Sequence, residues 1–179
     1  MKSKKIAKQR TMQQAERYRK AHVTTMHLSW AIDAETRQWH IEEMAGCPHC
    51  IIESQLECPL LRPKGMAESD EPVDVYFILS YPLTDNVPES ARESNFKART
   101  VVEVCREIRR VYEAIYAEDV RLGGLTADEY RATHPEYPLL NRPEGPWVYG
   151  HDIGDLAIEF LDFDWISPTH VHVDVFVGS

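Results

Sequence analysis

FKARTVVEVCREIRRVYEAIYAED, residues 96–119, carries the clearest periodicity in the chain. Val101, Val104, Cys105, Ile108, Val111, Tyr112 and Ile115 recur at steps of three and four, which on a helix makes one apolar stripe. Arg106, Glu107, Arg109, Arg110 and Glu113 fall mostly off it. Thr100 and Glu103 have capping-box spacing, whereas Phe96 and Ala98 argue for an earlier start, and Gly123-Gly124 ends the run. Cys105 lies on the stripe and reads as a small buried hydrophobe. A helix with one apolar face has to bury it against a second layer.

That layer is a sheet. Val73–Tyr81 is rich in β-branched and aromatic residues and predicts a strand stopped by Pro82, followed by a loop from Pro88 to Asn95. Leu156–Asp164 and His170–Val177 alternate apolar and polar residues and predict a terminal hairpin joined through Trp165–Thr169. Between helix and hairpin, Thr126 and Glu129 repeat the capping-box spacing and open a short helix that Pro135 ends. Pro135 to Pro146 is an irregular, proline-rich segment. Upstream, Leu28, Trp30 and Ile32 share one face of a strand, with Trp39 and Ile41 returning after a turn at residues 33–36; this hairpin sets Trp30 opposite Trp39. The expected fold class is α+β: a small mixed sheet with one long amphipathic helix packed on it, plus an N-terminal hairpin with a Cys knuckle. The expected organisation is a basic arm at 1–22, the hairpin and zinc knuckle at 23–62, a linker at Arg62–Pro72 and an α+β core at 73–179.

Cys47-Pro48-His49-Cys50 and Cys58 place three of the four cysteines within twelve residues. Two thiolates in one tight turn point at a common ion, so Cys47, Cys50 and Cys58 are candidate ligands of a structural Zn ion, with His40 as fourth ligand and His27 or His49 as alternatives. The competing reading is a set of reduced, partly buried thiols beside Ile51-Ile52. No run approaches the roughly 20 apolar residues of a membrane span, and the basic N-terminus lacks the apolar core of a secretory signal, so the expectation is a cytoplasmic protein with reduced cysteines and no membrane partner.

The net charge of −9 hides an asymmetry. Residues 1–22 carry eight cations against Glu16, a local +7 that leaves −16 for the remainder. Lys4, Lys5, Lys8 and Arg10 are candidate contacts to nucleic acid, or the arm is a solubilising tail. Beyond Arg142 there is no Lys or Arg, while Asp155, Glu159, Asp162, Asp164 and Asp174 accumulate. Such a field repels nucleic acid and attracts divalent cations or a basic protein partner.

Alternation puts Val171, Val173, Val175 and Val177 toward the core and His170, His172 and Asp174 on the opposite face. Three ligand types on one face chelate a divalent metal, or form a wet sheet surface beside Asp162 and Asp164. In Gly150-His151-Asp152-Ile153-Gly154-Asp155 the His-Asp dyad lacks the helix-borne partners of HD-type phosphohydrolases. Its structural reading has Asp152 capping a turn whose Ile153 and Leu156 dock on the core. A metal-dependent phosphoesterase or nucleotide hydrolase requires His151, Asp152, His170, His172 and Asp174 to converge on one ion. There is no phosphate-binding glycine loop and no GxSxG serine elbow.

Tyr149-Gly150-His151-Asp152-Ile153-Gly154-Asp155-Leu156, together with Tyr112-Glu113-Ala114-Ile115-Tyr116 on the long helix and the closing Val177-Gly178-Ser179, resembles small accessory proteins of tailed phages and prophages. The resemblance covers roughly the last 80 residues and implies no catalytic residues. It implies a protein that binds and modulates a host or phage macromolecule. The leading expectation is therefore a non-enzymatic regulatory protein that uses its acidic face to inhibit a basic, nucleic-acid-handling or host-defence protein. Metal-dependent hydrolysis and nucleic-acid binding through the basic arm stand beside it.

Overall fold

The computed structural model describes residues 23–32, 59–60, 62–67, 69–135 and 143–179. Five strands form one mixed sheet: β1 (Val23–Ala31), β2 (Val73–Ile78), β3 (Glu93–Ala98), β4 (Ala157–Ser167) and β5 (His170–Gly178). Their spatial order is β1-β4-β5-β2-β3. All neighbours run antiparallel except β2 and β5, which are parallel. The helices are α1 (Glu89–Arg92), α2 (Val101–Arg121) and α3 (Ala127–Thr133), with a 3-10 turn at Ile153–Asp155. The α+β class expected from the sequence is the class observed. β1 pairs with β4 and so belongs to the same sheet as the 73–179 body.

The long helix begins at its capping box and not at Phe96. Thr100 accepts a hydrogen bond from the Glu103 amide, and the Glu103 carboxylate accepts those of Thr100 and Arg99. Phe96 and Ala98 belong to β3, so the segment expected as a loop up to Asn95 holds α1 and the first half of this strand. The β3 pattern was masked by its polar outward residues Glu93, Asn95 and Lys97, which leave only Phe96 and Ala98 as apolar signal. After Arg121, Gly123 adopts φ +106 and the Gly124 amide returns to the Asp119 carbonyl at 2.9 Å, which ends the helix as expected from a left-handed glycine stop.

The apolar stripe of α2 covers one face of the sheet. Val101, Val104, Cys105, Ile108, Val111, Tyr112 and Ile115 join one buried cluster with Val75 and Phe77 of β2, Leu161, Phe163 and Trp165 of β4, and Val171 and Val173 of β5. Burial of each large side chain contributes about 1.5–3 kcal/mol. Cys105 is fully buried, and desolvation pushes its thiol far above the usual range, which matches the reading of an inert hydrophobe. A register shift between Ile158 and Phe160 lets Ile158 and Leu161 both face the core and sets Phe160, Asp162 and Asp164 on the other side. Leu60 is buried and its amide bonds the Arg99 carbonyl, while the Arg62 guanidinium lies 4.8 Å over the Trp165 ring and donates to the Pro168 carbonyl. The start of the expected linker is thus pinned to the sheet.

One polar contact ties β3 to α2. Glu107, 18% exposed, accepts from Ser94 Oγ at 2.5 Å and from the Arg110 guanidinium at 2.6 and 2.8 Å. The Arg110 hydrogen bond, with that of Ser94, holds the Glu107 carboxyl below the usual carboxylate range. A depressed folded-state value means stabilisation that is present above the ordinary glutamate range and lost as pH falls through the lowered value. Glu107→Gln is expected to cost about 1–2 kcal/mol at neutral pH. Urea unfolding across the acid limb checks this: the variant should lose less stability than wild type on acidification, and parallel losses would contradict it.

Candidate metal centre on the polar face of the sheet

The face of β4 and β5 turned away from α2 is built from cross-strand pairs. Asp164 stands opposite His172, Asp162 opposite Asp174, and Phe160 opposite Phe176. The parallel register brings Tyr76 beside His172 and Asp74 beside His170. Alternation along each strand compels this: once the valines of β5 and Leu161, Phe163 and Trp165 of β4 are committed to the core, the polar residues between them have one face left.

Asp164, His172 and Asp174 each offer a ligand atom within 4.8 Å of the other two. Asp164 is 3% exposed, and His172 and Asp174 are half-buried. His172 Nδ1 lies 3.6 Å from Asp174 Oδ1, an ion-pair distance when the imidazole is protonated but too long for a hydrogen bond. His172 Nδ1 and Asp162 Oδ1 are both buried without a hydrogen-bond partner among the described residues. Buried polar atoms in that condition cost roughly 1–3 kcal/mol each, and a cation ligated by His172 would remove the share of its imidazole. A bound ion would require ligand distances of about 2.0–2.2 Å. The His172 ring is held from the other side by Tyr76, stacked at 5.4 Å between centroids. Burial, with the hydrogen bond to Glu93 adding to it, pushes the Tyr76 phenol above its usual range, so it stays protonated and neutral beside the site.

A groove of about 630 Å3 opens along β5, β2 and β3 beside His172, lined in part by Asp74, Tyr76, Asn95, Ile166 and His170. Lys97 donates to Asp74 at 2.8 Å, and this bond, more than the charges of Lys97 and His170, holds the Asp74 carboxyl below the usual range. His170 Nε2 lies 3.2 Å from Asp74 Oδ2, and its Nδ1 is engaged by Thr169 Oγ1 at 2.9 Å and Ser167 Oγ at 3.1 Å. With both nitrogens engaged, His170 borders the groove as a fixed polar group.

The five residues required for the hydrolase constellation do not gather. His172 and Asp174 meet, and His170 is one alternate position further along β5. His151 instead bonds Tyr81 Oη through Nε2 at 3.0 Å, and Tyr81 Oη also contacts Ser179 Oγ at 3.0 Å. Ser179 follows His172 by seven residues, about 23 Å along an extended strand, so His151 sits at the far end of β5. Asp152 caps the 3-10 turn by accepting from the Ile153 amide at 2.8 Å, while Ile153 and Leu156 dock on the core. That is the structural role expected of it.

The acidic set is also divided. Asp155 and Glu159 are exposed, whereas Asp164 is buried and joins Asp174 in the cluster, and Asp162 is half-buried opposite Asp174. An outward acidic surface made of all five is therefore not what the fold presents. Cys47, Cys50, Cys58 and His40, and the arm residues Lys4, Lys5, Lys8 and Arg10, lie outside the described residues. Asp164 was legible as a neighbour of the His170–Asp174 face but not as a ligand, because only a second register shift, between Trp165 and Ser167, pairs it with His172. Asp74 and Tyr76 had no local signal at all, since parallel pairing of β2 with β5 depends on the topology.

No family model, curated protein or solved structure matches the chain. Among the described residues no helix is long and apolar enough to cross a membrane.

Proposed function

We propose that this chain is a divalent-metal-binding protein, in which an ion held by Asp164, His172 and Asp174 recognises an anionic oxygen ligand. The mutual approach of these three side chains to within 4.8 Å carries the reading. Two carboxylates and one imidazole make a mixed oxygen and nitrogen set suited to a first-row divalent ion such as Mn2+ or Zn2+. Three protein ligands leave one to three positions of a four- to six-coordinate ion for solvent or ligand. An ion also offsets the repulsion between Asp162 and Asp174, which face each other directly across the strands. Docking of a basic protein, by contrast, rests on the exposed Asp155 and Glu159 alone.

Mn2+ is the informative probe, because carboxylate and imidazole sites hold it whereas thiolates prefer softer ions, so the cysteines elsewhere in the chain do not obscure the count. Titration followed by the electron paramagnetic resonance signal of free Mn2+ should show one site in wild type. Binding should weaken at least about 100-fold in His172→Ala, a larger loss than removal of a group that only orients a ligand. Affinity should also fall on acidification, because protons compete with the ion for the imidazole. Equal Mn2+ binding by wild type and His172→Ala would remove the proposal.

A further inference from the structure

Phe176 stands two residues beyond Asp174 on the same face of β5 and is 40% exposed. One side of its ring is stacked on Phe160, with centroids 4.0 Å apart and planes inclined by 16°. The three pairs Phe160–Phe176, Asp162–Asp174 and Asp164–His172 succeed one another along the same ladder, each about 7 Å from the next. The pairing of β2 with β5 stops at Phe77 and Val173, and β2 itself ends at Ile78. Among the described residues, then, no strand flanks Phe176 on the side away from Phe160. An aromatic ring supported on one side and wet on the other is a platform for a second planar group.

Resting on the metal reading above, we infer that the anionic ligand is a nucleoside 5′-monophosphate, whose phosphate completes the coordination of the ion at Asp164, His172 and Asp174 and whose base stacks on Phe176. The ladder sets an apolar, planar contact and a cation site at the two ends of a span that one base, sugar and phosphate bridge. Without the ion, Asp162, Asp164 and Asp174 repel phosphate, so binding is strictly metal-dependent. The remaining carboxylates nearby, Glu159 among them, oppose a polyanionic strand, which favours a mononucleotide over a nucleic acid.

Calorimetric titration of the full chain with adenosine 5′-monophosphate and with ribose 5-phosphate, each with saturating Mn2+ and with chelator, tests this. With Mn2+ present the nucleotide should bind roughly tenfold more tightly than the sugar phosphate, the scale of one base stacked on an aromatic ring. Phe176→Ala should bring the nucleotide down to the sugar phosphate while Mn2+ affinity stays unchanged. Phe176→Leu, which keeps the apolar volume but not the plane, should behave in the same way. Chelator should abolish binding of both. Equal affinities of wild type for the two ligands, with Mn2+ bound, would overturn the nucleotide inference and leave the metal reading standing. Failure of wild type to bind Mn2+ would overturn the metal reading itself.

Discussion

In chelator-treated protein at mildly alkaline pH, Asp174→Asn is expected to raise the melting temperature, and in Mn2+ titrations to weaken binding at least about 100-fold. The two effects have one cause. Asp162 and Asp174 are directly opposed on adjacent strands, and the buried Asp162 Oδ1 finds no hydrogen-bond donor among the described residues. Like charges in that relation destabilise a strand pair by roughly 0.2–1 kcal/mol. Asparagine removes one charge, keeps the shape and brings an amide donor toward the unsatisfied oxygen. At about 2–4 °C per kcal/mol for a chain of this size, the gain is roughly 0.4–4 °C. The same amide is a poor replacement for a carboxylate on a divalent ion. Melting curves in chelator and in Mn2+ should therefore cross: the variant melts higher without metal and lower with it, because the ion stabilises wild type in proportion to its binding. A variant that melts lower than wild type in chelator would mean that Asp174 is a structural group, and the trade between stability and metal affinity would be lost.

Asp119→Ala is expected to be the most destabilising of the substitutions considered, at about 3 kcal/mol. Asp119 is fully buried at the end of α2, and its Oδ1 accepts the amides of Trp147 at 2.6 Å and Val148 at 3.1 Å. Those donors belong to the irregular segment that leads into the 3-10 turn and β4. Trp147 returns a carbonyl to the Thr84 amide, and Val148 bridges to Leu83, so the carboxylate joins the helix end to two loops. Alanine leaves the buried Val148 amide and the part-buried Trp147 amide without this acceptor and opens a polar cavity. The melting temperature should fall by roughly 6–12 °C. Asp119→Asn retains a carbonyl acceptor and should recover more than half of the loss, which separates the hydrogen bonds from the volume. Equal losses in the two variants would point to the charge itself. Position 145 obeys the same constraint: a Cβ on Gly145 would lie 2.4 Å from an Asp119 carboxylate oxygen. Glycine is required there by the close approach of backbone to side chain.

The features legible in the sequence share a physical character. The α2 stripe, both capping boxes, the glycine stop and the alternation of β5 are local: each depends on residues within a few positions of one another, and each is present where expected. β3 is hard to read because it is an edge strand whose outward residues are polar, so its period of two is thin, and because only Arg99 and Thr100 separate it from a helix whose periodicity dominates the window. The turn role of Asp152 was legible because a cap is local. The proposed convergence of His151 with His170 was not testable in the sequence, since it concerned which end of β5 the Tyr149–Leu156 segment meets, and the contact of His151 with Tyr81 settles it at the end away from His172.

The chain's residues, taken in order, determined that a helix with one apolar face lies on a sheet, and that His170, His172 and Asp174 share the side of β5 turned from the core. Those outcomes follow from short-range sterics and burial. Only the tertiary structure decided that Asp164 becomes the third member of the cluster, that Tyr76 braces the imidazole, and that the acidic residues split between solvent and site. Each of these depends on strand order and on a one-residue shift in register, and a shift of one residue moves a side chain from one face of a sheet to the other.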